Sequence, residues 1–254
     1  MLKRIAVVGE GFQQDLDADA VRDEIEVVRL KPDDELPVAT AAVVVDEGNA
    51  GTALDLALKH AARQEELLDL LAMAIAAREQ FSPEAASRLK EHATRFAEAL
   101  GLDNADRLTL ERGALVHDIG KLRIPNDILL KKTVLTFDEW TMLQSHAQLG
   151  ADLISGIEGL RDTEDMVRRH HCCFDGTGYP DGLEGEDIPF LARVMKILDV
   201  YCAMTSPRHY RQGHSTHEEA VEYLQSESGK HFDAELIRVF IESNVGRPLS
   251  DEAE

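Results

Sequence analysis

Histidines and aspartates are concentrated in two short stretches of the sequence, VHDIGK at residues 116–121 and HHCCFDGTGYPDG at residues 170–182. Neutral imidazoles and carboxylates suit first-row transition metals, and a helical bundle can collect such ligands from several helices. A single histidine on a helix is more often a surface residue or a hydrogen-bonded core residue. A pair is harder to explain by packing, because His170 and His171 would point about 100° apart on a helix and could fill two coordination positions. The two stretches therefore predict a metal site within a helical domain.

The residues around these stretches predict an all-α domain from about residue 81 onward. A helix is expected to begin at Ser82-Pro83, where serine is a good N-cap and proline fits the first turn, and to end at Gly101. Further helices are expected at about residues 105–117, 137–156, 161–171, 190–204, 216–227 and 233–243. No internal repeat or low-complexity segment interrupts this pattern.

Residues 1–50 predict a small α/β module instead. Short runs rich in β-branched residues indicate strands at Arg4–Gly9, Ile25–Leu30 and Ala42–Val45, with one short helix near residues 18–23. Asp46 follows the third run, as a phosphoacceptor aspartate would. However, the usual acidic pair is missing after the first strand, and the chain turns helical too early for a complete receiver domain. A degenerate sensory or dimerisation module is the favoured interpretation.

Residues 51–80 predict one long helix that links this module to the all-α domain. Its apolar residues form two adjacent stripes. These are Leu68, Leu71 and Ile75, and beside them Leu67, Leu70 and Ala74. A helix that is apolar on two faces needs partners on both, so we expect it to join two domains, to pair with its copy in a homodimer, or to do both. The fold class expected for the whole chain is therefore mainly α.

The composition excludes several classes of partner. The chain of 254 residues has 27 Lys and Arg against 48 Asp and Glu, a net charge of -21. Such a surface repels polyanions, so binding to nucleic-acid polymers or to an anionic membrane is not expected. No apolar run is long enough for a transmembrane helix or a secretory signal, and three cysteines do not make a disulfide framework. A cytoplasmic location is the simplest expectation.

The order of the motifs resembles that of the HD-domain metal phosphohydrolases. The stretch VHDIGK carries the HD pair, and the loop GTGYP at residues 176–180 makes the sequence similar to the HD-GYP subfamily, which hydrolyses cyclic di-GMP. The resemblance covers about residues 85–243. It implies an all-α HD-GYP phosphodiesterase domain over residues 81–245, followed by an acidic tail at residues 246–254. An isolated HD pair would be weak support, whereas the ordered set of motifs is specific.

Carried over position by position, the resemblance implies a pair of divalent metal ions, iron or manganese. The first ion would take His92, His117, Asp118 and Asp199. The second would take His146, His170 and His171, with Asp118 bridging the two. Two such ions can activate a water and stabilise the attacking and leaving oxygens of an in-line displacement. Some relatives hold a third ion with a glutamate four residues before the first histidine, but this position is Arg88, so a dinuclear site is expected.

The resemblance also implies contacts to a dinucleotide. Lys121 would stabilise charge on the scissile phosphate or protonate the leaving oxygen, and Tyr179 would hydrogen-bond to the substrate. Arg208 and Arg211 match positions that contact phosphate and guanine, and they lie in a locally basic segment of this acidic chain. The plainer alternatives are a solvated lysine, a tyrosine that stabilises its own turn, and a solvated basic face.

Three residues near the predicted site leave two explanations open. Asp175 would either orient a ligand histidine or cap its own turn. Cys172 and Cys202 stand where the family commonly has carboxylates, so their presence could change metal choice, rate or substrate contacts. A thiolate ligand at Cys202 is conceivable, but small buried thiols are the more common explanation.

These expectations combine into a cytoplasmic cyclic di-GMP phosphodiesterase of bacterial second-messenger signalling. Its product would be linear pGpG, with further cleavage to GMP left open. The alternative is a catalytically weak or inactive metal-containing sensor of cyclic di-GMP, which acts through contacts with protein signalling partners. A third option is an HD phosphohydrolase that acts on another nucleotide, but the Gly-Tyr-Pro loop disfavours this option.

Overall fold

The computed structural model describes residues 3–8, 25–30, 66–79, 83–206 and 215–247, and within these residues the fold is mainly helical. The chain divides into two compact units, Met1–Leu67 and Leu68–Glu254. Among the described residues, no helix is both long and apolar enough to cross a membrane. The α-helices are α1 (66–78), α2 (Pro83–Ala99), α3 (Asn104–Val116), α4 (Asn126–Leu129), α5 (Phe137–Gln144), α6 (His146–Ile154), α7 (Glu164–Arg169), α8 (Phe190–Thr205), α9 (His217–Ser226) and α10 (Ala234–Glu242). Short 3-10 helices cover Ile119–Arg123, Glu158–Thr163 and Gly185–Asp187.

In the first unit two parallel strands pair, β1 (Lys3–Val8) and β2 (Ile25–Leu30). Their register places Lys3 opposite Ile25. The predicted third strand, the predicted helix before β2 and Asp46 lie outside the described residues. The small α/β module and its comparison with a receiver domain therefore stay predictions.

A continuous apolar core occupies the second unit. Helix α2 begins where predicted and ends in a Schellman motif: Leu102 N–H donates to the Ala97 carbonyl (3.0 Å), and Gly101 adopts a φ of 66°. The buried face of α2 packs Phe96 edge-on against Phe240 of α10, with ring centroids 5.3 Å apart. Helices α3, α8 and α9 add buried residues to the same core. This core fixes α2, α3 and α8, which carry or adjoin predicted ligands.

Helix α1 packs against the segment that carries the HD pair, through one of its two apolar stripes. Ile75 is buried, and Leu68 and Leu71 are partly buried against a second apolar cluster. Other members of that cluster are Leu115, Val116, Ile119, Ile154, Leu160 and Val167. The second stripe is exposed, since Leu67 and Leu70 are 65% and 63% accessible. Pairing of the exposed stripe with a second copy of the chain stays a prediction.

The single helix predicted over residues 137–156 is wrong, because a break at Ser145 separates α5 from α6. The side chains of Ser145 and His146 donate to the carbonyls of Met142 (2.6 Å) and Leu143 (2.7 Å). A continuous helix would use these carbonyls for the N–H groups of residues 146 and 147, so the side chains compete with the backbone ladder. The break puts a candidate ligand at the first position of α6.

The expectation that His170 and His171 lie on a helix is also wrong. Helix α7 ends at Arg169, and residues 158–163 before it form a 3-10 helix. The His170 ring donates to the Val167 carbonyl (2.7 Å) and so caps the end of α7. The two histidine rings lie side by side as a result, with centroids 4.0 Å apart and planes inclined by 44°.

A close backbone approach joins the segment after the HD pair to α6. A Cβ atom on Gly120 would lie 1.9 Å from the carbonyl oxygen of His146 and 2.5 Å from the amide nitrogen of Gly150. Both neighbours are backbone atoms, so no rotation of a side chain could make room. Glycine at position 120 therefore sets the distance between Asp118 and His146.

We predict that Gly120→Ala lowers the free energy of unfolding by about 1–3 kcal/mol, because the methyl group forces α6 away from residue 120. The matched control is Gly156→Ala, since a Cβ atom there meets nothing within 4 Å; the control should stay within about 0.5 kcal/mol of the wild type. Urea denaturation of both variants measures the difference. Equal unfolding free energies would contradict the packing argument.

Candidate metal centre

Four of the predicted ligands converge at one point of the second unit. Asp118, His146, His170 and His171 each offer a ligand atom, and these atoms all lie within 4.8 Å of one another. They come from the end of α3, the start of α6 and the end of α7. The Nε2 atoms of His146 and His171 are 3.1 Å apart, and His146 Nε2 lies 3.3 Å from Asp118 Oδ1. These are the four residues that the family resemblance implied for the second ion.

Backbone carbonyls fix the orientation of the histidine rings. The Nδ1 atoms of His117, His146 and His170 lie 2.7–2.8 Å from the carbonyl oxygens three residues earlier in the chain. Because a carbonyl can only accept, Nδ1 carries a proton in each ring, and Nε2 is the atom that faces Asp118. Metal-binding histidines in proteins are commonly oriented in this way.

The charges of the site stabilise a cation. Burial lowers the pKa of His117, but the carboxylates of Asp118 and Asp199 outweigh burial and raise this pKa to about 9. Burial opposes ionisation of Asp118, but His117 and Lys121 hold the pKa of this carboxyl well below its usual range. Asp118 is therefore an ionised carboxylate that attracts positive charge into a buried place.

The donor atoms of the cluster fit a divalent metal ion. Burial lowers the pKa of His170 and His171 well below the usual value, and the neighbouring imidazoles lower it further, so both rings are neutral, the form in which an imidazole binds a metal ion. Asp118 Oδ1 and His170 Nε2 are buried, have no hydrogen-bond partner among the described residues and lie 3.9 Å apart. Such unsatisfied groups cost about 1–3 kcal/mol each. One cation between them would satisfy both, and a carboxylate with imidazoles is a common donor set for such ions.

The residues implied for the first ion are brought together only in part. Asp199 Oδ1 lies 3.8 Å from His117 Nε2, which in turn lies 3.1 Å from Asp118 Oδ2. His92 Nδ1 lies 3.1 Å from the Val245 carbonyl, so this ring also carries its proton on Nδ1. Among the described residues, His92 and Asp199 are not members of the close group of four. The ligand set of a first ion stays a prediction.

Lys121 is held between two carboxylates, so it is not a solvated lysine. Its Nζ lies 2.7 Å from Asp118 Oδ2 and 2.7 Å from Glu79 Oε1. Burial lowers the Lys121 pKa, but the two carboxylates outweigh it and raise this pKa above its usual value. Sequence reasoning missed Glu79. A signal was present, because Glu79 follows Ile75 by four residues and so continues the apolar stripe that α1 buries.

The Gly-Tyr-Pro loop reaches the histidines through Tyr179. The Tyr179 ring stacks on His171, with centroids 4.7 Å apart and planes inclined by 28°. Burial and the Asp118 carboxylate raise the pKa of the phenol, so its hydroxyl remains a hydrogen-bond donor. Asp175 accepts instead from Thr177 N (3.0 Å) and Oγ1 (2.6 Å). Of the two explanations for Asp175, the turn cap is the one that the structure supports.

The Cys172 side chain is buried, and the Cys202 side chain is partly buried against the apolar core. Cys172 packs with Ile188, and its Sγ lies 3.4 Å from the Tyr179 carbonyl. Burial raises the pKa of both thiols, and the neighbouring Asp199 helps to raise that of Cys202 to about 12. Neither thiol joins the metal cluster found among the described residues. Packing is therefore the better explanation of both cysteines.

The basic segment around α8 is used in part by the fold itself. Arg193 forms an ion pair with Asp233, the N-cap residue of α10. Lys196 Nζ lies 3.3 Å from the carbonyl oxygen of His171. Arg208 and Arg211 lie outside the described residues, so their contacts to a dinucleotide stay predictions.

Comparison with known families shows to which family the chain is related. The family model described as HD domain matches residues 69–236, more than half of the chain. The chain belongs to the HD domain family. Relatives named cyclic di-GMP phosphodiesterase confirm the resemblance to the HD-GYP group.

Curated relatives and one solved structure extend this comparison. The cyclic di-GMP phosphodiesterase response regulator RpfG of Xanthomonas campestris is 37% identical over 69% of this chain and 47% of its own length. The 3′3′-cGAMP-specific phosphodiesterase 2 of Vibrio cholerae is 31% identical over 70% of this chain and 34% of its own length. A crystal structure of a cyclic GMP-AMP-specific phosphodiesterase of V. cholerae shares the fold, with a TM-score of 0.55 and 19% identity over 72% of this chain and 49% of that one. The chain thus spans half or less of each relative.

We predict that His171→Ala lowers the affinity for Mn²⁺ by at least about tenfold, because it removes one imidazole from the cluster of four. His231→Ala is the matched control, since His231 lies beside Glu227, is 40% exposed and is not part of the cluster. Elemental analysis after dialysis against a Mn²⁺ series measures bound metal, and circular dichroism checks folding. Equal metal content in the two folded variants would contradict the site.

Proposed function

We propose that this chain is a metal-dependent phosphodiesterase that hydrolyses cyclic di-GMP to linear pGpG, which a second cut would convert to GMP. The observation that carries the proposal is the cluster around Asp118, a buried carboxylate with three imidazoles and the ammonium group of Lys121 beside it. The substrate is supported by the names of several curated relatives. Bacterial second-messenger signalling is the setting that this substrate implies.

We assign a pair of divalent ions, iron or manganese, to the site. The first would be held by His92, His117, Asp118 and Asp199. The second would be held by His146, His170 and His171, with Asp118 shared. Such ions, when bound, lower the pKa of a water and stabilise negative charge on phosphoryl oxygens. Arg88 stands where a third ion would need a carboxylate, which supports a dinuclear site.

The chain's own residues would bind and orient the dinucleotide. A lysine ammonium has three N–H donors, and Lys121 directs two of them at Asp118 and Glu79. The third is left for an oxygen of the scissile phosphate. The Tyr179 hydroxyl, on a ring stacked against His171, is a further donor at the edge of the cluster.

The remaining contacts and the organisation of the chain complete the proposal. Arg208 and Arg211 would supply the positive charge for phosphate and guanine.

We place the phosphodiesterase domain at residues 81–245, the linking helix at residues 51–80 and the regulatory module before it. The exposed stripe of α1 supports a homodimer. A cytoplasmic location and protein signalling partners complete this arrangement.

A second candidate substrate is 3′3′-cGAMP. Three of the curated relatives from V. cholerae are named as specific for this dinucleotide, at 31%, 37% and 34% identity. The two substrates differ in one base and share the cyclic pair of phosphodiesters. The cluster around Asp118 would act on either phosphodiester, so the choice between them depends on contacts to the base.

We predict that anaerobically purified protein, loaded with Fe²⁺ or Mn²⁺, converts cyclic di-GMP to pGpG. Turnover of 3′3′-cGAMP should be at least about tenfold slower, because the loss of one base contact costs about 1.4 kcal/mol of transition-state binding. Chromatography follows both substrates, and elemental analysis gives the metal per chain. The control is the double variant His117→Ala/Asp118→Ala, which should fall to the uncatalysed background because it removes the shared carboxylate.

Other results would overturn parts of this proposal separately. Tight binding of cyclic di-GMP without turnover in either metal would favour the sensor. Faster turnover of 3′3′-cGAMP would reassign the substrate. A metal content near three per chain would contradict the dinuclear site.

A further inference from the structure

The end of α1 is joined to the segment that follows the HD pair by two consecutive side chains. Arg78 donates to the carbonyls of Leu122 (2.7 Å) and Ile124 and to Asn126 Oδ1 (3.2 Å). The next residue, Glu79, accepts from Lys121 Nζ at 2.7 Å. The 3-10 helix that carries Lys121 is thus held from outside by a helix more than 40 residues earlier in the chain.

The contact between Glu79 and Lys121 is a buried ion pair. Their side chains are 13% and 16% exposed. Removing one partner of such a pair leaves an uncompensated charge in a place that water reaches poorly. Burial, followed by the Asp118 carboxylate, raises the pKa of Glu79, whereas Lys121 opposes this effect. The Lys121 ammonium group therefore stabilises the ionised Glu79 carboxylate, which would otherwise be repelled by Asp118.

Asp118 alone does not fix the position of Lys121, because the Asp118 oxygens also face histidine side chains and would be shared with a bound cation. Its Oδ1 lies 3.3 Å from His146 Nε2, and its Oδ2 lies 3.1 Å from His117 Nε2 as well as 2.7 Å from Lys121 Nζ. An oxygen that is shared with a cation becomes a weaker acceptor for a lysine. Glu79, which is not part of the metal cluster among the described residues, remains as the second anchor.

We propose that Glu79 is a positioning residue that holds the Lys121 ammonium beside Asp118, so that the third N–H of Lys121 points at a bound phosphate. This inference rests on the proposed function. The attachment of α1 does not depend on Glu79, because Arg78 makes three hydrogen bonds and Ile75 is buried against the same segment. The specific contribution of Glu79 is therefore to Lys121 and not to the fold.

The test compares Glu79→Gln with Glu66→Gln in the metal-loaded chain of 254 residues. Glu66 is an exposed residue at the start of the same helix, so its variant removes the same charge without reaching the site. For cyclic di-GMP we expect Glu79→Gln to lower kcat by about 10- to 100-fold with little change in KM, as is typical for residues that orient a catalytic group. Metal content should match that of the control, and the melting temperature should fall only slightly below it, because Asp118 still pairs with Lys121.

A double variant separates positioning from an independent effect. In the Lys121→Met background, Glu79→Gln should lower kcat no further, because the group that Glu79 positions is already gone. The same fold-loss in both backgrounds would overturn the proposal. So would loss of metal in Glu79→Gln, which would make Glu79 a ligand instead.

A second readout does not depend on turnover. Acetylation by acetic anhydride, followed by mass spectrometry, should label Lys121 slowly in the wild type and in Glu66→Gln. In Glu79→Gln the rate at Lys121 should rise by about tenfold, while the exposed Lys132 reacts equally in all three proteins. An unchanged rate at Lys121 would overturn the proposal. If the wild type cleaves neither dinucleotide, the proposed function fails, but the labelling still decides whether Glu79 positions Lys121.

Should Glu79→Gln fail to fold, Glu79→Asp replaces it in both measurements. The shorter carboxylate keeps the charge but not the 2.7 Å contact. It should therefore show a smaller loss of kcat and a smaller rise of labelling than those given for Glu79→Gln. Wild-type values for both would overturn the proposal.

Discussion

The buried carboxylate of Asp118 is the interaction on which the rest of the structure depends. An ionised group in a buried place is tolerated only when partners surround it. Asp118 Oδ2 faces His117 and Lys121, while Oδ1 faces His146 and His170 without a hydrogen-bond partner among the described residues, so that a cation would complete its surroundings. Helices α3, α6 and α7 therefore have to begin or end close to one point, and the apolar clusters to which they contribute buried residues hold them there. The ionised carboxylate of Asp118 therefore determines where these three helices meet.

The histidines of the site have two roles that cannot be separated. In His117 and His170, Nδ1 donates to a carbonyl at the end of a helix, and Nε2 faces Asp118. His146 does the same across the break between α5 and α6. Each ring is therefore fixed by the local structure before any ion binds. Preorganised donors cost little entropy on binding, which favours a well-defined centre over a loose acidic patch.

The sequence predicted which side chains of the site come together better than it predicted the helices that carry them. The HD pair and the paired histidines identified the cluster, because their chemistry is visible residue by residue. The breaks at Ser145 and after Arg169 were not foreseen, since they depend on side chains that take backbone carbonyls and leave the apolar periodicity intact. Glu79 was missed for a related reason: an acidic residue at a helix end is ordinary until the fold brings it 2.7 Å from Lys121.

The most direct test of this account is anomalous X-ray diffraction from crystals grown with Mn²⁺. We predict a strong anomalous peak between the Asp118 carboxylate and the Nε2 atoms of His146, His170 and His171. A second peak is expected on the side of His117 and Asp199. Crystals that show no peak at Asp118, or manganese only at exposed carboxylates elsewhere, would contradict the claim that this carboxylate organises a metal centre.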